Sequence, residues 1–181
     1  MNLSRLILKI AGWKVNVAVP EFPKSIICVA PHTSNWDFIL CELAIRSVNR
    51  HSGFLMKESW FFFPLGNIFK AMGGIPVSRK EKKGSLVEQI VEKYKNSERL
   101  TLAVTPEGTR KRTAKWHSGF LRIAEQADVP ICLAYVDFGT KTIGMEDTFA
   151  PSGDIEKDLH DVKHYYKNFT GRYPDKFTIE Y

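Results

Sequence analysis

Residues Ile26–Asp37 read Ile-Ile-Cys-Val-Ala-Pro-His-Thr-Ser-Asn-Trp-Asp, and the fold class follows from how that stretch divides. Five apolar residues in a row, Ile26–Ala30, fit a strand buried on both faces, as inside a parallel sheet. Pro31 and Asn35 mark a loop, and Trp36–Val48 then takes up helical periodicity. A buried strand feeding a loop and then a helix is the first half of a βαβ unit.

The same alternation continues in both directions. Val15–Val19 alternates polar and apolar residues and predicts a strand. Phe54–Lys57, Ile75–Ser78, Leu100–Thr105 and Ile131–Val136 are further strand candidates. Between them, Trp60–Met72 reads as a helix that Pro64 bends or starts, with Gly73 and Gly74 ending it. Ser85-Leu-Val-Glu88 is a capping box, and Leu86, Val87, Ile90, Val91 and Tyr94 share one face after it. Gly119–Ala127 reads as a short helix. Asp154 caps a last one, whose apolar face is Ile155, Leu159, Val162, Tyr166 and Phe169. The expected architecture is α/β, a largely parallel or mixed central sheet flanked by helices. Sheets of this kind bind ligands at the carboxyl ends of their strands.

Bulk properties agree with one domain over residues 1–181. The chain has 181 residues, 44% of them hydrophobic and 25% charged, which is ordinary globular usage, so disorder is not the default reading. Its net charge of +6 points to an anionic partner: nucleic acid, an anionic membrane or a phosphorylated small molecule. The basic residues are dispersed and form no nucleic-acid motif, so nucleic acid is not expected as a partner. Cys28, Cys41 and Cys132 lie far apart in apolar stretches without a Cys-x-x-Cys pair; they are expected as buried reduced thiols, and no metal site is expected. No segment reaches the roughly 18 apolar residues of a spanning helix. Residues 1–13 read as a short amphipathic helix, with Leu3, Leu6, Ile7 and Ile10 at helical spacing and Arg5 and Lys9 beside them.

Two loops carry chemistry, each directly after a buried strand. In Pro31–Asp37, His32 and Asp37 are five residues apart, which on a regular helix would turn them roughly 140° from each other. They converge only if His32 lies in the loop and Asp37 in the first helical turn. A carboxylate on one ring nitrogen fixes the tautomer and raises the basicity of the other, so the imidazole can take a proton from an alcohol attacking a thioester. The other reading is a histidine in a loop and an aspartate where helix starts favour one. In Thr105–Arg110, Gly108 allows close backbone approach to a ligand and Arg110 offers a bidentate fork for phosphate. Lys57 and Arg79 each end a strand. With Arg110 they are three cations that build one anion site, unless they are ordinary surface charges.

His32-x-x-x-x-Asp37, Gly74-x-x-x-x-Arg79, Pro106-Glu107-Gly108-Thr109-Arg110 and Val129-Pro130-Ile131, in that order, resemble the four blocks of the glycerolipid acyltransferase family, whose best-known members are the lysophosphatidate acyltransferases. The resemblance runs from about Ile26 to Tyr135. It implies a glycerolipid acyltransferase-like fold, His32 as general base and Asp37 as its partner. It also implies acceptor binding, especially of phosphate, by Gly74, Arg79, Glu107, Gly108, Thr109 and Arg110. Pro76 and Thr105 depart from the residues usual in the second and third blocks. The implied reaction moves a fatty acyl group from an acyl-CoA or acyl carrier protein thioester to a lysophospholipid hydroxyl, such as that of 1-acylglycerol-3-phosphate, in phospholipid biosynthesis. No cofactor is expected beyond that thioester co-substrate. No Gly-x-Ser-x-Gly elbow supports a serine acyl-enzyme.

The expected partners are therefore a lysolipid acceptor, an acyl thioester donor and an anionic membrane surface. The expected location is the cytoplasm, peripheral on the inner face of the cell membrane. Trp60–Leu65, rich in aromatic residues, reads as an acyl groove, a membrane contact or core packing. The competing function is a noncatalytic lipid-binding protein of the same fold, against which an intact His32 and Asp37 argue.

Overall fold

The structure, a computed structural model, describes residues 2–77 and 85–180. Seven strands form one sheet: β1 (Lys14–Val17), β2 (Lys24–Val29), β3 (Gly53–Lys57), β4 (Gly74–Val77), β5 (Leu100–Val104), β6 (Ile131–Asp137) and β7 (Thr142–Phe149). Their order is β1-β7-β6-β2-β5-β3-β4. All neighbours pair in parallel except β6 and β7, which are antiparallel with an irregularity between Leu133 and Ala134. Five strands thus run one way and the β1–β7 pair runs against them, so the sheet is mixed. The helices are α1 (Leu3–Ile10), α2 (Asn35–Ser47), α3 (Leu65–Ala71), α4 (Leu86–Lys95), α5 (Gly119–Ala127) and α6 (Ile155–Tyr165).

β2 sits at the centre because every second side chain has a core to enter on either face. Ile26, Cys28 and Ala30 pack with Ile90 and Tyr94 of α4, Phe120 and Leu121 of α5 and Val162 of α6. Ile27 and Val29 face the other way, toward Ile45 of α2. Two buried tyrosines pin this strand: Tyr94 Oη donates to Ser25 O at 2.8 Å, and Tyr166 Oη to Cys28 O at 2.6 Å. Each bond satisfies a phenol that would otherwise be buried without a partner. Cys28 and Cys132 are buried and Cys41 half-buried, all three free thiols, and burial raises the pKa of each.

Two sequence expectations are corrected. The helix expected over Trp60–Met72 is a short 3-10 turn at Glu58–Trp60 and a separate α3 that begins after Pro64. Pro64 lacks an N–H and disfavours helical backbone at the residue before it, so one continuous helix cannot cross it. The last helix ends at Tyr165, and Tyr166–Asn168 tighten into a 3-10 turn. By contrast, the capping box at Ser85 and Glu88 is formed in both directions, and Asp154 accepts from Glu156 N and Lys157 N at the start of α6.

Candidate active site

β2 and β5 are parallel neighbours, with Cys28 opposite Val104. The loops that follow them leave the same edge of the sheet side by side. That register is what brings Pro31–Asp37 next to Thr105–Arg110, although 75 residues separate His32 from Glu107.

Asp37 is the third residue of α2, whose N-cap is Ser34. Its Oδ2 accepts from Thr33 N at 2.7 Å and Ser34 N at 2.8 Å, and its Oδ1 from Ser34 Oγ at 2.9 Å. The carboxylate thus closes a capping box and holds the loop rigid at the same time. His32 lies in the loop, with Nδ1 at 3.4 Å from Asp37 Oδ2; the side chains are 12% and 1% exposed. This is ion-pair distance and longer than a well-formed hydrogen bond, so buried Nδ1 lacks an aligned acceptor. Burial alone would raise the Asp37 carboxyl; the adjacent His32 ring and the donors of Ser34 and Thr33 outweigh it and hold the pKa below the ordinary value. A carboxylate kept ionised beside an imidazole in a loop open at one end is the arrangement that general-base chemistry requires.

Glu107 stands beneath the loop. It is 6% exposed, and its Oε1 accepts the backbone N–H of His32 at 2.8 Å. Its other oxygen is buried without a partner. Burial pushes its pKa to about 7, against the opposing pull of the His32 N–H. The structure therefore gives this residue a contact with the His32 loop itself. Gly108 adopts a left-handed φ of +62°, and a Cβ there would stand 2.6 Å from the His117 ring. His117 is exposed but lies across this glycine, and its backbone N–H donates to Pro106 O at 2.7 Å. Thr109 Oγ1 accepts from Lys111 N at 3.2 Å, which shapes the turn; Arg110 is exposed.

Lys57 is the last residue of β3, and β4 ends at Val77. Both strands are parallel to β5, so their carboxyl ends share its edge of the sheet. Arg79 lies outside the described residues. Among the described residues, no group of three His, Cys, Asp or Glu side chains could hold a metal ion.

Sequence reasoning missed the C-terminal contribution. Tyr173 N donates to Thr33 Oγ1 at 3.2 Å, and Gly171 is buried against Thr33 and Pro31. No periodicity or motif marks Gly171-Arg172-Tyr173, because its role depends on a contact 140 residues away in the chain.

Comparison with known proteins fits this geometry. A family model described as Acyltransferase matches residues 14–136, a span holding both loops. No curated protein matches the sequence. Among solved structures, the chain is similar to the crystal structure of the 1-acyl-sn-glycerophosphate (LPA) acyltransferase PlsC from Thermotoga maritima. The TM-score is 0.55 with 19% sequence identity, over 93% of this chain and 78% of that one. That likeness is one of fold.

Proposed function

This chain belongs to the acyltransferase family, and on that premise we propose that it moves a fatty acyl group from an acyl-CoA or acyl carrier protein thioester to a hydroxyl of a lysophospholipid. The observation that carries the chemistry is the His32–Asp37 pair, an imidazole against an ionised, buried carboxylate. His32 Nε2 takes the acceptor's hydroxyl proton as the oxygen attacks the thioester carbonyl. The tetrahedral intermediate collapses, the C–S bond breaks, and the thiolate leaves with the proton from the imidazolium. Asp37 supports the positive ring during that interval.

The acceptor proposed first is 1-acylglycerol-3-phosphate, because it is the substrate in the name of the structurally similar Thermotoga protein. Arg110, exposed on the neighbouring loop, suits its phosphate, and Lys57 and Arg79 are the further cations proposed for it.

For the acyl chain, an apolar cleft of about 400 Å3, its open mouth included, lies between the sheet and α2. Val29, Cys41, Ala44, Ala103, Ala134 and Met145 line it. Cys41 is one helical turn from Asp37, and the burial that raises its thiol to about 12 marks an apolar setting. A chain lying there would hold its thioester near His32.

Membrane contact, on the inner face of the cell membrane, is proposed through α1, and no described helix is long and apolar enough to cross a bilayer. The test of the reaction is thiol release by the purified protein from one acyl-CoA against a panel of lysolipids. Saturable, acceptor-dependent release is expected with 1-acylglycerol-3-phosphate. Release that is independent of every lysolipid in the panel would remove the proposed acceptor class.

A further inference from the structure

The family match ends at residue 136, yet the chain beyond it returns to the His32 loop. Asp137, buried at the end of β6, accepts from Gly139 N at 3.0 Å and Thr170 N at 3.1 Å, and Thr170 O accepts from Phe138 N at 2.8 Å. Gly171 follows, so close to the loop that a Cβ would stand 2.8 Å from Thr33 Cγ2 and 3.2 Å from Pro31 Cβ. Tyr173 N then bonds to Thr33 Oγ1. Between these anchors Arg172 is held across the first turn of α2. Its guanidinium carbon lies 5.3 Å from the centroid of the Trp36 ring and 5.9 Å from that of Tyr173. Lys176 Nζ lies 4.2 Å from the Tyr173 ring.

The charge is held by rings and not by an acid. Arg46, Arg99 and Arg112 pair with Glu42, Glu21 and Glu180, whereas Arg172 has no carboxylate at ion-pair distance among the described residues. A guanidinium resting on aromatic faces keeps its edge of N–H donors free, in the fork that matches a phosphate. Trp36 immediately precedes Asp37, so that fork stands at the rim of the His32 site.

We propose that Arg172, with Lys176 on the same Tyr173 ring, binds a substrate phosphate at the entrance to the His32 site. The inference rests on the acyl-transfer reading only for whose phosphate it is. The thioester donor carries phosphate on its carrier group, and the acceptor carries it on its headgroup.

Trp36, 49% exposed under Arg172, is a built-in reporter. The full chain would be titrated with coenzyme A and, separately, with glycerol 3-phosphate, following tryptophan fluorescence, with Trp36→Phe to identify the signal. A saturable response to at least one probe is expected, and the probe that gives it names the phosphate's source. Arg172→Ala should weaken that affinity by about 10–150-fold, the range of a lost charged hydrogen bond. Arg172→Lys should recover part of it. Circular dichroism controls for folding. Equal affinity of the wild type and a folded Arg172→Ala variant overturns the proposal, as does a wild type that binds neither probe. Phosphate binding without acyl transfer would instead overturn the proposed reaction and leave this site standing.

Discussion

The backbone N–H of His32 donates to Oε1 of Glu107 at 2.8 Å, and this bond ties the loop after β2 to the loop after β5 at the histidine proposed as the base. Glu107→Ala would leave that N–H unpaired and free the loop to shift. A displacement of about 1 Å in a catalytic group can cost about 10²-fold, and a loss of that order in kcat is expected. Glu107→Gln keeps an acceptor oxygen in place and should retain most activity. The pair of variants separates loop positioning from acceptor binding: if Glu107 gripped substrate by its charge, Glu107→Gln would raise KM as much as Glu107→Ala does.

The same residue sets a pH dependence of stability. Its folded pKa of about 7 lies above the ordinary 4.5, so the fold favours the protonated form. The contribution is fully present below 4.5 and is lost as pH rises to 7, by up to about 3 kcal/mol at 1.36 kcal/mol per unit. Glu107→Gln removes this titration. Its stability relative to wild type should therefore rise between pH 4.5 and 7 and level off above, measured by urea unfolding at each pH. A difference independent of pH would show that the buried carboxyl does not titrate there.

Removing the base should be more damaging than removing its partner. His32→Ala should lower turnover by about 10²–10⁴-fold with the fold intact, since the side chain packs little core. Asp37→Asn loses the charge beside the ring and also turns an amide N–H2 toward one of the donors Thr33 N, Ser34 N and Ser34 Oγ. It should therefore lose activity and some stability together, read by thiol release and thermal melting. Near-wild-type turnover in a folded His32→Ala variant would sink the proposed mechanism.

Arg110 is exposed on the neighbouring loop and is proposed to hold the acceptor's phosphate. Arg110→Ala should raise the acceptor KM by about 10–150-fold and leave the thioester KM nearly unchanged. The reverse pattern would assign this arginine to the donor.

The parts legible in the sequence were those with local causes. Ile26–Ala30 announces a buried strand by its unbroken apolar run, and His32 with Asp37 announces a site because one lies in a loop and the other at a capped helix start. β7 left no such trace. Its run Thr-Ile-Gly-Met-Glu-Asp-Thr-Phe puts Glu146 and Asp147 in mid-strand, and only its first half is buried. Its pairing with β6 comes from the turn at Phe138–Lys141 and a register irregularity, which no side-chain alternation encodes. Glu107's bond to His32 and Gly171's fit against Thr33 were illegible for a related reason. Both depend on which loops the parallel register sets side by side.

The apolar cleft under α2 makes a prediction about chain length. Ala103→Leu would fill part of its wall and exclude the far end of a long acyl chain. Each methylene excluded forfeits about 0.8 kcal/mol, so kcat/KM for long chains should fall about fourfold per methylene while short chains are spared. A series of acyl-CoA lengths measures this. A uniform loss at every length would mean that the acyl chain lies elsewhere.

Helix α1 serves the fold and leaves an apolar face outside it. Leu8 is buried with Leu40 and Ala44 of α2, and Asn2 Nδ2 donates to Arg46 O at 2.7 Å, so the helix is docked. Leu3 and Ile10 are nonetheless 70% and 78% exposed, with Ile7 beside them and Arg5 and Lys9 exposed as well. Truncation before Lys14 would strip Leu8 and Trp13 from the core, confounding any binding loss with unfolding. The sharper variant is Leu3→Ser, Ile7→Ser and Ile10→Ser together, which leaves Leu8 in place. Burying one such side chain contributes about 1.5–3 kcal/mol. Binding to phosphatidylglycerol vesicles should therefore fall at least about tenfold in co-sedimentation. Binding by the wild type should also weaken with salt, because each basic residue near an anionic surface adds about 1 kcal/mol. If the triple variant binds as well as wild type, α1 is not the anchor, and Phe62 and Phe63, both exposed in the loop before α3, become the segment to substitute next.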